Sequence, residues 1–244
     1  MRIPLIRGVI KRRILANYRA DPETVRKLLP PVFRPKLHEG HAIVGVCLIR
    51  LEGMRPAPLP AFVGIGSENA AHRMAVTWTG EDGREREGVY IARRDTGSLF
   101  NSFTGGRFFP GEQHKADFSV TFAAGGLGFK MQSRDGLGDI ALEATKAEAL
   151  PADSCFADLA AASKFFEGGA TGYSVTSDPC RLDGLVLKTS HWKVSPLAVS
   201  GIRSRYFGDA DRFPAGSIRF DHALLMEDVP HEWSGEKDMI LAVI

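Results

Sequence analysis

The stretch HRMAVTWTGEDGREREGVYIAR (72–93) places two runs rich in β-branched and aromatic residues, His72–Thr79 and Gly88–Arg93, on either side of Glu81-Asp82-Gly83. An Asp-Gly pair between such runs favours a tight antiparallel hairpin, because glycine and aspartate tolerate the backbone that the turn demands. The same signature recurs in LGFKMQSRDGLGDIALEATKA (127–147), where Arg134-Asp135-Gly136 separates Leu127–Ser133 from Ile140–Ala147. Outward from these hairpins, Ala42–Leu51, Lys115–Ala123, Leu185–Trp192 and Ser217–Leu225 also read as strands. Helical patterns are few. Asp21-Pro22 supplies an N-cap and an N-terminal proline, Val25, Leu28 and Leu29 form a stripe, and Pro30-Pro31 ends it. A second helix is expected to start at Asp153, to carry Phe156, Leu159, Ala160 and Phe166 on one face, and to stop at Gly168-Gly169. Neither alternates with strands as a parallel α/β fold requires. The chain is therefore expected to be mainly β within the α+β class, with an antiparallel sheet curled into a barrel or sandwich and peripheral helices outside.

Composition fits one domain. The 244 residues are 44% hydrophobic and 25% charged, enough to bury a core without staples. Neither repeats nor a long linker interrupt the chain, and Arg55–Pro60 reads as a stiff loop. A formal charge of +2 gives no reason to expect nucleic acid as a partner, whereas a small anion remains compatible. Cys47, Cys155 and Cys180 are widely spaced and odd in number, which points to a reducing, cytoplasmic setting. Arg2, Arg7, Lys11, Arg12 and Arg13 precede any acidic residue, yet no signal-type apolar core follows, so no leader is read there. The longest apolar stretch, Ala42–Ile49, is about half of a membrane span, and no membrane partner is expected.

Several motifs bear on chemistry. Gly64-Ile65-Gly66-Ser67-Glu68-Asn69 lacks the third glycine of a dinucleotide loop, and Gly125-Gly126-Leu127-Gly128 reads as a turn or bend, so no cofactor is expected. His222, Glu227, Asp228, His231 and Glu232 crowd one stretch without zinc-ligand spacing and read as a solvated loop after a strand, with no metal. The segment Gly105–Asp117 differs, because it gathers Arg107, His114 and Lys115 on a turn entering a strand. A lysine near other cations, or one removed from water, loses affinity for its proton, and the neutral amine can attack a carbonyl to form an imine. The plainer alternative is a surface lysine at a strand start.

Tyr18-Arg19-Ala20-Asp21 with Arg26–Pro30, the turn before Lys115, and Phe220–Ala223 through Asp228-Val229-Pro230 resemble acetoacetate decarboxylase in order and spacing. The chain is closer still to a branch of that superfamily known only as a domain of unknown function. The "LLPP" helix end, the Ala42–Leu48 strand, Met54-Arg55-Pro56, Glu68 with a following arginine, His191-Trp192 and "LMEDVP" (225–230) carry that likeness over almost the whole chain.

The resemblance implies a single-domain antiparallel β-barrel of acetoacetate decarboxylase-like type, with an interior pocket and often a homo-oligomeric assembly. The decarboxylase pairs two lysines. Here Gln113-His114-Lys115 stands in that place, so His114 aligns with the nucleophile and Lys115 with its neighbour, or the reverse after a one-residue slip. The family's carboxylate-binding arginine falls near Lys11 and Arg12, one pocket glutamate falls near Gly45 and is lost, and the other matches Glu68.

The expected function is binding of a small oxo acid or carbonyl compound. Lys115 would serve as nucleophile or polarising cation, His114 as proton carrier and Glu68 as acid/base. Arg107 with Lys11 or Arg12 would anchor the carboxylate. Arg73 would either join that binding set or form a structural ion pair with Glu68. The alternatives are a non-catalytic binding protein using the same pocket, and a lyase, hydratase or cyclase that needs no imine.

Overall fold

The computed structural model describes residues 5–98, 111–123 and 126–241. Its chain order begins with β1 (Ile6–Ala20), α1 (Pro22–Leu28), β2 (Arg34–Pro35), β3 (Leu37–His38), β4 (His41–Pro56), β5 (Ile65–Thr79) and β6 (Glu85–Thr96). It continues with β7 (Gln113–Ala123), β8 (Gly126–Ser133), β9 (Ile140–Lys146), α2 (Leu159–Glu167), β10 (Thr171–Val175), β11 (Arg181–Thr189), β12 (Ser195–Ser204) and β13 (Ile218–Ile240). Among the described residues, no helix is long and apolar enough to cross a membrane.

All strands belong to one 13-stranded sheet that closes on itself twice. The first closure runs β13–β1–β4–β5–β6–β10–β11 and returns to β13. The second keeps the wall from β13 through β6 but returns by β7, β8, β9 and β12. Two barrels therefore share one wall. Strand β6 makes this possible by splitting its free edge: Val89–Ile91 pair with β10, whereas Arg94–Thr96 pair with β7. These two pairings are parallel, the exception in an otherwise antiparallel sheet.

A shared wall is buried on both faces, which explains why β4 reads as a nearly continuous apolar run rather than an alternating one. Val44, Val46 and Leu48 join the core of the second barrel, while Ile43, Cys47, Ile49 and Leu51 face the first. The second barrel is filled by side chains such as Met74, Phe129, Met131, Leu142, Leu197 and Phe207. The two Asp-Gly hairpins form where the sequence places them, with Gly83 at φ 76° and Gly136 at φ 69°. There a side chain would strain the backbone.

Strand β1 runs through basic residues that the sequence did not mark as a strand, and β5 starts at Ile65, ahead of the expected His72. Two expectations are corrected. The second helix begins after Asp158, whose side chain accepts from Ala161 N at 2.8 Å, and not at Asp153, which pairs with Arg219. The stretch read as a solvated loop is the middle of β13, with His222 and His231 buried and Glu227 and Asp228 exposed.

Candidate functional site

The first barrel keeps a hollow of about 100 Å³, and each of its strands contributes to the lining. Most of the wall is apolar: Ile49, Leu51, Ile91, Leu185, Leu187 and Trp233 face it. Three guanidinium groups break that surface, Arg13 from β1, Arg73 from β5 and Arg94 from β6, together with Cys47, Asn69 and Gln113. Among the described residues, no carboxylate lines the hollow. An adjoining cavity of about 30 Å³ also touches Arg13 and Arg73 and is closed by Phe165 and Phe166 of α2.

Arg73 is 5% exposed, and its Nη2 donates to Asn17 Oδ1 at 2.7 Å. Behind Asn17 a relay runs inward. Asn17 Nδ2 lies 3.1 Å from His222 Nε2, and His222 Nδ1 lies 2.6 Å from Asp221 Oδ2. Asp221 also accepts from Ser154 Oγ at 2.7 Å, Cys155 N at 2.9 Å and Arg19 Nη1 at 3.0 Å. Burial pushes the Asp221 carboxyl up, but the bonds from His222, Ser154 and the Cys155 amide outweigh it and hold the group well below the usual carboxylate range. An ionised Asp221 fixes the His222 ring with Nδ1–H as donor, so Nε2 accepts from Asn17 and Asn17 Oδ1 is left to receive Arg73. Gly45 permits this: a Cβ there would sit 2.4 Å from Ala16 O and 3.1 Å from Asn17 Oδ1. A side chain at this position would collide with the β1 backbone at Ala16 and press on Asn17.

Burial pulls Arg73 down to about 10, with the neighbouring Arg13 charge adding to the shift, and burial pulls Arg94 down to about 10 as well. Both remain cationic near neutrality. Arg94 Nε donates to Ser174 Oγ at 2.9 Å, and Arg13 Nε donates to Cys47 Sγ at 3.2 Å. Arg73 Nε and Arg13 Nη1 are buried without a hydrogen-bond partner among the described residues. The Arg73 guanidinium also lies 5.0 Å from the Phe166 ring centroid, a cation–π contact that holds it against α2. Buried cations facing apolar walls favour an anion that carries its own apolar or carbonyl body.

The residues singled out by sequence do not converge. Arg73 lines the hollow. Glu68 bonds Arg12, Oε2 to Nη2 at 2.7 Å, and Arg12 lies 5.7 Å from the Phe129 centroid in the second barrel. Glu68 and Arg73 therefore form no pair; five residues apart on one strand, they point to opposite faces. Lys11 is exposed and bonds Asp228 at 2.6 Å. His114 lies beside Asp95 in register and 3.7 Å from Asp135, on the face opposite its two neighbours. Lys115 is half-buried in register with Thr96, on the same face as Gln113, and is not part of the hollow's lining. Arg107, the turn that carries it, and Gly125 lie outside the described residues.

Arg13, Arg94, Cys47 and the relay of Asn17, His222 and Asp221 were not singled out for this site from sequence. For Arg13 the available signal was parity: it shares a face of β1 with Leu15, whereas Arg12 shares one with Ile14. In the second barrel the charged groups pair with one another, whereas both ring nitrogens of His72 are buried without a hydrogen-bond partner among the described residues. Arg93 bonds both Asp95 and Asp135, and burial drives His72 down to about 3, so that ring stays neutral beside Tyr206.

The model of the family DUF2071, described as an uncharacterized conserved protein, matches residues 9–173. No curated protein sequence matches the chain. Among solved structures, acetoacetate decarboxylase from Legionella pneumophila is similar at TM-score 0.59 and 11% identity, covering 98% of this chain and 88% of that one. An acetoacetate decarboxylase-like enzyme from Sphingomonas wittichii RW1 matches at TM-score 0.59 and 13% identity, over 98% and 93%. The enduracididine biosynthesis enzyme MppR complexed with pyruvate matches at TM-score 0.58 and 9% identity, over 98% and 90%. At these identities the likeness shows the fold.

Proposed function

As the chain belongs to the DUF2071 family and has the acetoacetate decarboxylase-like fold, we propose that it binds a small organic carboxylate of the oxo-acid class inside the first barrel. One observation carries this reading: Arg13, Arg73 and Arg94 meet in an apolar hollow with no carboxylate among its described lining residues. Gathering three like charges around one hollow is unfavourable; Asp183 acts on Arg94 from outside the lining, and an incoming anion supplies a counter-charge inside it. Arg73 Nε and Arg13 Nη1 offer donors to it, and charge-assisted bonds of this kind in a water-poor site are among the stronger polar contacts. The apolar wall takes the remainder of the ligand.

Imine chemistry is the catalytic extension of this reading. Lys115 follows Gln113 on the same face of β7, just beyond the lining, so a ligand carbonyl would have to reach past Gln113 to meet it. The geometry favours binding without that bond.

Calorimetric titration with pyruvate and with its neutral amide, pyruvamide, tests both points. Pyruvate is the first probe because the fold neighbour MppR was captured with it. The expected result is pyruvate binding at least about tenfold tighter than pyruvamide, with Lys115 unmodified after borohydride treatment of the complex. Equal affinities would remove the anion site. A reduced adduct on Lys115 would replace a binding protein by a lysine-dependent lyase.

A further inference from the structure

Cys47 occupies a position that carboxylate binding alone does not use. It is 7% exposed and lines the hollow, and its Sγ receives the Arg13 Nε–H bond at 3.2 Å. That bond engages one lone pair of the sulfur and fixes the direction of the side chain. Beside it stands Arg73, 5% exposed, lining the same hollow with Nε unpartnered among the described residues. Arg94 lines the hollow from the adjacent strand. A thiol and a guanidinium with an unpartnered Nε–H thus share one water-poor space, so an anion drawn to the arginines would meet the sulfur.

We propose that Cys47 is a nucleophile that adds reversibly to the carbonyl carbon of a carboxylate bound by Arg73 and Arg13, an inference that rests on the carboxylate reading above. The attacking form is the thiolate. A bond forms between Sγ and the carbonyl carbon, the π pair of the C=O bond moves to oxygen, and the proton released by the thiol ends on that oxygen. The product is a hemithioketal, and no oxidant, reductant or leaving group is involved. The ligand class is a carboxylate bearing an aldehyde or activated ketone, of which 2-oxo acids are the simplest.

The test uses the full-length native protein and two alkylating probes that differ in charge, iodoacetate and iodoacetamide. Cys155 and Cys180, which do not line the hollow, serve as internal controls read by peptide mass spectrometry. In each alkylation the S–C bond forms as iodide leaves. A cleft of one charge sign concentrates counter-ions by about tenfold or more. The expected result is therefore an iodoacetate-to-iodoacetamide rate ratio at Cys47 about tenfold above that of the controls, falling to the control ratio in Arg73→Met. Pyruvate should protect Cys47. With carbon-13 at its carbonyl, pyruvate should also show a tetrahedral-carbon signal that is present with the wild type and absent with Cys47→Ser.

Failure of both probes to label Cys47 while pyruvate still binds would overturn the thiol's role and leave the carboxylate reading standing. Labelling at the control ratio would overturn both. A carbonyl signal that stays in the ketone region on binding would overturn the covalent step.

Discussion

Replacing Asp221 by alanine is expected to lower the stability of the fold by about 3–5 kcal/mol, the range for removing one partner of a buried, hydrogen-bonded ion pair. Asp221 is 4% exposed and ties together parts of the chain far apart in sequence: Arg19 on β1, Ser154 and the Cys155 amide before α2, and His222 on β13. Alanine removes the shared acceptor of four donors: the buried His222 Nδ1 loses its partner, while Arg19 keeps Asp153 O at 2.5 Å and the Asp153 carboxylate at 3.9 Å. Urea unfolding should show a lower midpoint at an unchanged slope. Asp153→Ala provides the contrast, because that carboxylate pairs with Arg219 on the surface and its loss should cost about 0.5 kcal/mol or less. Equal effects of the two substitutions would mean that the relay behind Asn17 is not a structural tie.

The second large effect falls on binding. Arg73→Met should weaken pyruvate binding by about 10- to 100-fold, the size of a charge-assisted hydrogen bond lost from a buried site, and leave pyruvamide binding unchanged. Stability should move little in comparison. Methionine fills an apolar neighbourhood beside Phe166 and removes a desolvated charge, although Asn17 Oδ1 loses its donor. Arg12→Met supplies the opposite pattern. Its guanidinium serves Glu68 in the second barrel, so the fold should weaken while the preference for pyruvate over pyruvamide persists. A loss of that preference in Arg12→Met with none in Arg73→Met would assign the anion site to the wrong barrel.

Local chemistry was legible in the sequence wherever it decides structure by itself. The hairpins at Asp82-Gly83 and Asp135-Gly136 follow from the positive φ their glycines adopt, and α1 follows from the Asp21 cap, whose side chain accepts from Thr24 N at 2.7 Å. The start of α2 was misplaced because Asp153 and Asp158 are equally good caps in isolation, and a tertiary contact with Arg219 claims the first. Strand β1 was obscured by its charges. Its basic residues punctuate a run whose apolar positions are buried on both faces of the shared wall.

The site was harder to read for a related reason. Arg13, Cys47, Arg73 and Arg94 lie on four strands, and only the closure through β10 and β11 turns their common face into an interior. The parallel pairings at β6 that allow this closure have no short-range signature. Alignment to a family motif drew attention to Arg12, Glu68 and His114, and strand parity sends all three away from the hollow.

The anion site is tested most directly by the anomalous scattering of bromide soaked into crystals of the protein. An anomalous peak inside the first barrel, within hydrogen-bond distance of Arg73 Nε and Arg13 Nη1, is the predicted result. Bromide on the outer surface with none in the hollow would contradict it.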